Sequence, residues 1–322
     1  MKKFGMKLFT GLLVIGILTG CGSEVEEKQQ QSASEIDKGK SAVFPVTLKD
    51  ATGEQVTIEE EPQKIVSLIP SNTEIAFAMD LGEKIVGVSD YDNYPKETAD
   101  IEKIGDLEFN VEKIISLSPD LVLAHESTAD SAKEGLQQLR DSGISVVVIN
   151  DAANFKDVYS SIEMLGKATG ANHNANVLID EMKTKLRTIE EKAAEIKQHE
   201  QKKVLVEVSG SPEIYVTGKN TFLDEMLQLI NAKNAAADQE GWAKMEEESM
   251  IEENPDVIVT TYGRYVEDVT SDILNRNGWE AVTAIKEKQV VDVNEDLVTR
   301  SGPRLAEGVE ELAKAVYPDV FK

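Results

Sequence analysis

Two α/β lobes with mostly parallel central sheets, joined by one long α-helix, are the architecture this sequence predicts. Three patterns predict it. Short β-branched runs alternate with amphipathic segments from Ile65 to Ile149. The alternation resumes at Val204, and Asn174 to Gln201, between the two units, holds a helical period with neither Gly nor Pro. Alternating strands and helices build parallel sheets, and a sustained 3.6-residue period builds a single helix.

The first 20 residues read as a secretory leader. Lys2, Lys3 and Lys7 precede the apolar stretch Leu8 to Leu18, which ends at Leu18-Thr19-Gly20-Cys21. The stretch is short for a membrane span, and Cys21 is the only cysteine, standing where a lipidation signal needs one. The expectation is a leader over 1–20 and a lipid anchor on Cys21 at the extracytoplasmic face of the cell membrane. Cleavage there removes three lysines and no acids, taking a formal charge of −25 three units further negative. So acidic a surface repels nucleic acid. With no second cysteine the fold must stand on its core, which about 280 residues can supply. Residues 21–45 are polar and short of large apolar side chains, a flexible tether that lets an anchored protein reach a partner in the same membrane.

The N-terminal lobe spans 46–153. Ile65-Val66-Ser67-Leu68-Ile69 reads as a strand closed by Pro70. Ser71-Asn72-Thr73-Glu74 has capping-box spacing, which gives Glu74 a structural role at a helix start. A strand at Ile85–Val88, a helix near Val111–Leu117, a strand at Leu121–Ala124, a helix near Ser131–Ser142 and a strand at Val146–Ile149 follow. A helical linker occupies 154–201. Within it Val177, Leu178, Met182, Leu186, Ile189, Ala193 and Ile196 form one stripe, predicting a continuous helix from Asn174 to Gln201. The C-terminal lobe, 202–322, opens with a strand at Val204–Val208. Helices near Phe222–Ile230 and near Ser249, strands at Val257–Val259 and Val290–Val293, and a final helix Leu305–Val316 complete it. A stiff helix between lobes predicts a cleft that closes by a small angle, with ligand at the carboxyl ends of the strands.

One echo links the lobes. Glu112 stands seven residues before Pro119-Asp120 and Glu248 seven before Pro255-Asp256. Either acid alone is explained by the helix dipole at a first turn. As a pair they project one carboxylate from the same place on each lobe, a pattern that fits arginines on a two-fold symmetric membrane partner.

The segments SLIPSNTEIAFAMDLGEKIVGVSDYDNYP, NVEKIISLSPDLVLAH, YVTGK, GWAKMEEES and TRSGPR carry a resemblance from about Lys64 to the C-terminus. The chain resembles the substrate-binding lipoproteins of siderophore, haem and cobalamin ABC importers, most closely the vitamin B12-binding members. The resemblance implies a class III periplasmic-binding-protein-like fold and a monomer that serves a permease dimer and its ATPase. It implies cobalamin as transported ligand, with no resident cofactor or metal. Tyr91, Tyr215 and Trp242 match the aromatic corrinoid contacts, and Glu112 and Glu248 match the permease-docking glutamates. Asp106 and His125 stand where those relatives carry tryptophan.

A corrin is broad and partly apolar, so aromatic faces suit it. Tyr91 lies in an Asp-, Asn- and Pro-rich loop, and Trp242 follows Gly241 outside any strand pattern; ordinary core packing is the competing reading for both. His125 directly follows a strand, where a neutral imidazole could face the cleft and ligate cobalt or iron. Arg300 follows the last strand and could reach a phosphate or carboxylate, whereas Arg304 suits a structural pair. Haem or a ferric siderophore is the alternative cargo, His125 favouring haem. No cysteine nucleophile, HExxH, GxSxG or phosphate loop is present, and His173 and His199 flank the linker helix as surface residues. These absences argue against an enzyme. A tethered scaffold with a working acidic surface is the remaining reading.

Overall fold

The computed structural model describes residues 44–322. The expected leader, Cys21 and most of the tether lie outside them.

A hairpin of β1 (Val46–Lys49) and β2 (Gln55–Ile58) precedes the first lobe. Then come β3 (Ile65–Ser67), α1 (Pro70–Ala78), β4 (Ile85–Val88), β5 (Glu102–Lys103), α2 (Val111–Leu117), β6 (Leu121–His125), α3 (Glu126–Ala129), α4 (Lys133–Asp141) and β7 (Ser145–Ile149). The strands form one parallel sheet in the order β5-β4-β3-β6-β7. Buried strands in such sheets read as unbroken apolar runs because helices cover both faces. Leu121-Val122-Leu123-Ala124 does so, with every side chain at most 1% exposed.

The linker consists of α5 (Phe155–Thr169) and α6 (Asn172–Ala193). The stripe buries as predicted through Leu178, Met182, Leu186, Ile189 and Ala193, but Val177, also expected in it, is 42% exposed. The helix nevertheless ends eight residues before Gln201. Asn231 Nδ2 donates to the carbonyls of Ala193 and Ile196 at 3.2 and 3.1 Å, satisfying acceptors that a continued helix would have bonded itself.

The second lobe contains β8 (Lys203–Ser209), β9 (Tyr215–Thr217), α7 (Phe222–Leu229), β10 (Lys233–Asn234), β11 (Trp242–Lys244), α8 (Glu247–Glu253), β12 (Val257–Thr260), α9 (Val269–Leu274), α10 (Thr283–Lys286), β13 (Val290–Asp292), α11 (Glu295–Val298) and α12 (Leu305–Val316). The sheet runs β11-β9-β8-β12-β13, with β10 also on β8. β8, β12 and β13 are parallel; β9 and β11 add an antiparallel edge.

One apolar cluster runs through both lobes, from Ile75 of α1 and Met79 just after it through Leu165 and Ile179 to Leu223 of α7 and Leu312 of α12. Each sheet buries its other face in a separate cluster. The lobes therefore share a packed core on the side of the linker and meet again through the loops at their strand ends.

Glu74 corrects the sequence expectation. Pro70 takes the first helical position of α1, and the cap residue, Ile69, makes no side-chain cap bond. Glu74 thus lies inside the helix, 2% exposed, and takes its hydrogen bonds from the other lobe.

Candidate functional site

The Pro-Asp echo has one structural basis in both lobes. α2 ends at Ser118 and α8 at Asn254, each in the left-handed conformation that stops a helix. The proline follows, and the aspartate then ties the helix to the lobe's first strand. Asp120 Oδ2 accepts from the amides of Gln63 and Lys64 at 2.8 and 2.9 Å, and Asp256 Oδ2 accepts from that of Lys203 at 2.8 Å. Glu112 and Glu248 consequently occupy the same second helical position of matching helices, both exposed. The neighbouring Glu247 is committed, accepting 2.8 Å from the indole N–H of buried Trp279.

Tyr91 follows the carboxyl end of β4 and is 55% exposed. Its loop is held from below. Asp92 accepts from Ser89 Oγ at 2.6 Å, and Lys103 Nζ donates to the carbonyls of Ser89 and Asp92. Burial pushes the Asp92 carboxyl above the usual carboxylate range, against the pull of Ser89 and Lys103. Tyr91 is thus an exposed ring on an anchored loop.

Trp242 lies in a strand, contrary to its sequence reading. β11 pairs with β9 so that Trp242 opposes Thr217 and Lys244 opposes Tyr215. Residues directly opposite share a face, as do residues two apart. Tyr215 and Trp242 therefore stand diagonally on one face of the edge ribbon, 38% and 48% exposed.

His125 ends β6 and caps α3. Its Nδ1 lies 2.8 Å from Ser127 Oγ, and the ring is 4% exposed. Burial lowers its pKa, an effect that Asp151 and Glu126 oppose, so the imidazole is neutral at pH 7. Asp106 turns inward on its own loop, accepting from the Glu108 amide.

Arg300 is held by protein groups. Its guanidinium donates to Glu74 Oε1 at 2.6 Å, Asn93 Oδ1 at 2.9 Å and Asp296 Oδ1 at 2.8 Å. Arg304 makes the structural pair expected of it, also with Glu74. Sequence reasoning passes over Tyr265, which is 68% exposed beyond the carboxyl end of β12, and over Tyr94, 44% exposed in the Tyr91 loop. Their signal was available: both lie in loops that follow a strand.

A cavity of about 960 Å³ lies elsewhere. It is bounded by α1, α6 and the start of α12, with Phe77, Leu178, Met182 and Arg304 in its wall, and none of the five predicted ligand contacts Tyr91, His125, Tyr215, Trp242 and Arg300 lines it. A smaller one of about 260 Å³ sits between the lobes at the ends of β12 and β13, beside Asn93, Arg264 and Asp296. Among the described residues no cluster of His, Cys, Asp and Glu is placed to hold a metal ion, and no helix is long and apolar enough to cross a membrane.

Comparison with known proteins places this geometry. The profile of the periplasmic binding proteins matches residues 65–297. The uncharacterized ABC transporter substrate-binding lipoprotein YvrC of Bacillus subtilis is 52% identical over 311 residues, 97% of this chain and 96% of that one. The cobalamin-binding protein of Halobacterium salinarum is 26% identical over 296 residues, 89% of this chain and 78% of its own. A solved structure of a possible iron-binding, periplasmic solute-binding protein from Staphylococcus epidermidis is 38% identical with a TM-score of 0.72, covering 80% of this chain and all of that one. With two α/β lobes, parallel sheets and a helical linker of the class III type, this chain belongs to the periplasmic binding protein family, as an ABC transporter substrate-binding protein of its siderophore, haem and cobalamin group.

Proposed function

We propose that this protein captures cobalamin between its lobes outside the cell, held to the membrane by a lipid on Cys21, and delivers it to a permease through Glu112 and Glu248. As a solute-binding member of its family it does no chemistry on its cargo. The observation that carries the reading is the exposure of Tyr91, Tyr215 and Trp242 at 55%, 38% and 48%. Large rings at the carboxyl ends and edge of the sheets, in both lobes, give the apolar area a flat macrocycle requires. The cobalamin-binding relative supports that cargo, and the lipoprotein relative supports the anchor.

Haem or a ferric siderophore is the second reading, favoured by His125. It is neutral, with Nδ1 engaged by Ser127 Oγ at 2.8 Å, the protonation state that metal ligation requires. The solved relative that is a possible iron-binding protein supports it.

Calorimetric titration with cyanocobalamin, haem and a panel of ferric siderophores tests the assignment. One corrinoid bound per chain is the expected result. Heat from haem or a siderophore alone transfers the protein to the second reading, and silence across the panel overturns both.

A further inference from the structure

We propose that Glu74, Arg300 and Arg304 form a clasp that sets the angle between the lobes and thereby positions the Tyr91 loop against the other lobe. The inference rests on the reading that ligand is held between the lobes, but the clasp itself is defined by geometry alone.

Glu74 belongs to α1 of the first lobe, and its partners stand 226 and 230 residues away in the second. Its Oε1 accepts from Arg300 Nη1 and Arg304 Nη2, both at 2.6 Å, and its Oε2 accepts from Arg304 Nε at 2.8 Å. The carboxylate side chain is 1% exposed and the arginines 14% and 12%. Around this centre Asn93 bridges to the second lobe twice. Its Oδ1 accepts from Arg300, and its Nδ2 donates to Asp296 Oδ2 at 2.8 Å. The Arg304 guanidinium also stacks on Tyr94, 3.9 Å from the ring centre.

Two features make this group an angle-setting device as well as a source of cohesion. The apolar cluster on the linker side joins the lobes by contacts without direction, which tolerate small rotations. A planar guanidinium fork on a carboxylate tolerates far less, since both of its bonds must stay aligned. The clasp also shares a loop with the ligand candidate: Asn93 and Tyr94 are two and three residues beyond Tyr91. Rotating the lobes apart breaks the fork and carries Tyr91 away from the Tyr215 and Trp242 ribbon.

The test uses the full chain carrying Cys21→Ser, with cysteines introduced at exposed Glu134 and Lys286 and spin-labelled. Pulsed dipolar spectroscopy reads the distance between lobes. Glu74→Gln, shown by circular dichroism to be folded, is expected to widen the distance distribution about twofold and to weaken cyanocobalamin binding about tenfold. An unchanged distribution in the folded variant overturns the clasp. Should Glu74→Gln fail to fold, Arg300→Gln removes one arm of the clasp and leaves the buried carboxylate paired with Arg304; widening supports the clasp and no change refutes it. A parent chain that binds no cyanocobalamin would refute the cargo, and the distance measurement would still decide the clasp.

Discussion

His125 shows how burial converts a side chain into a measurable pH dependence. Its pKa is lowered in the folded protein, so between that value and the ordinary one near about 6.5 the unfolded chain binds more protons. The stability this histidine contributes is complete above about pH 6.5 and is lost as pH falls through the lowered value. His125→Gln should remove that loss. Melting temperatures measured from pH 7.5 to 5 should fall more steeply for the parent protein than for the variant, and parallel curves would show that the ring is not buried as described. At this scale the sequence displayed residue type better than commitment. Aromatics in loops after strands were legible at Tyr91, and the chemistry of Arg300 was legible as anion-binding. That its anion is Glu74 was not, because a partner 226 residues away leaves no local pattern. The capping-box spacing at Ser71 to Glu74 was real but superseded, since the helix starts at Pro70, two residues earlier than a Ser71 cap would start it.

At the scale of elements, α2 and α8 repeat one construction with different terminators. Ser118 takes φ 51° and Asn254 φ 45°, a region costly for most side chains and easiest for glycine and asparagine. Ser118→Gly should therefore stabilise the protein by about 0.5–1 kcal/mol. Asn254→Gly should not, because Asn254 Oδ1 accepts from the amide and hydroxyl of Thr283 at 2.9 and 3.1 Å. That loss costs about 1 kcal/mol. Urea denaturation of both variants separates the two effects, and equal shifts would contradict the asymmetry. The long strands and helices were readable because periodicity needs several turns or alternations to emerge. β9 and β11, with three residues each, offer no period, so Trp242 looked like a loop residue until its pairing with Thr217 was known. The linker helix shows the converse error. Ile196 continues the apolar stripe and is buried, yet it packs from a turn after the helix has ended at Ala193.

The whole molecule combines a shared core, a cleft between strand ends and two exposed glutamates on equivalent helices. If those glutamates seat the protein on a permease, replacing both Glu112 and Glu248 by Gln should abolish stimulation of the transporter's ATPase. Affinity for cargo should change less than about twofold, as expected of exposed charges remote from a buried contact. Loss of cargo affinity instead would place them in the cleft. Two-lobe architecture was the most legible feature of all, because it rests on the order of many elements and survives errors at any one boundary. The angle between the lobes was not, since contacts such as Glu74 with Arg304 exist only after both lobes have folded.

The central claim is that one cobalamin is gripped by aromatic rings from both lobes, and equilibrium dialysis tests it most directly. Parent protein and the double variant Tyr91→Ala, Trp242→Ala are dialysed against cyanocobalamin. Each ring is worth on the order of 1–2 kcal/mol, so one corrinoid per parent chain and affinity about 100-fold weaker in the variant are predicted. Full affinity in the variant, or no binding by the parent, contradicts the account.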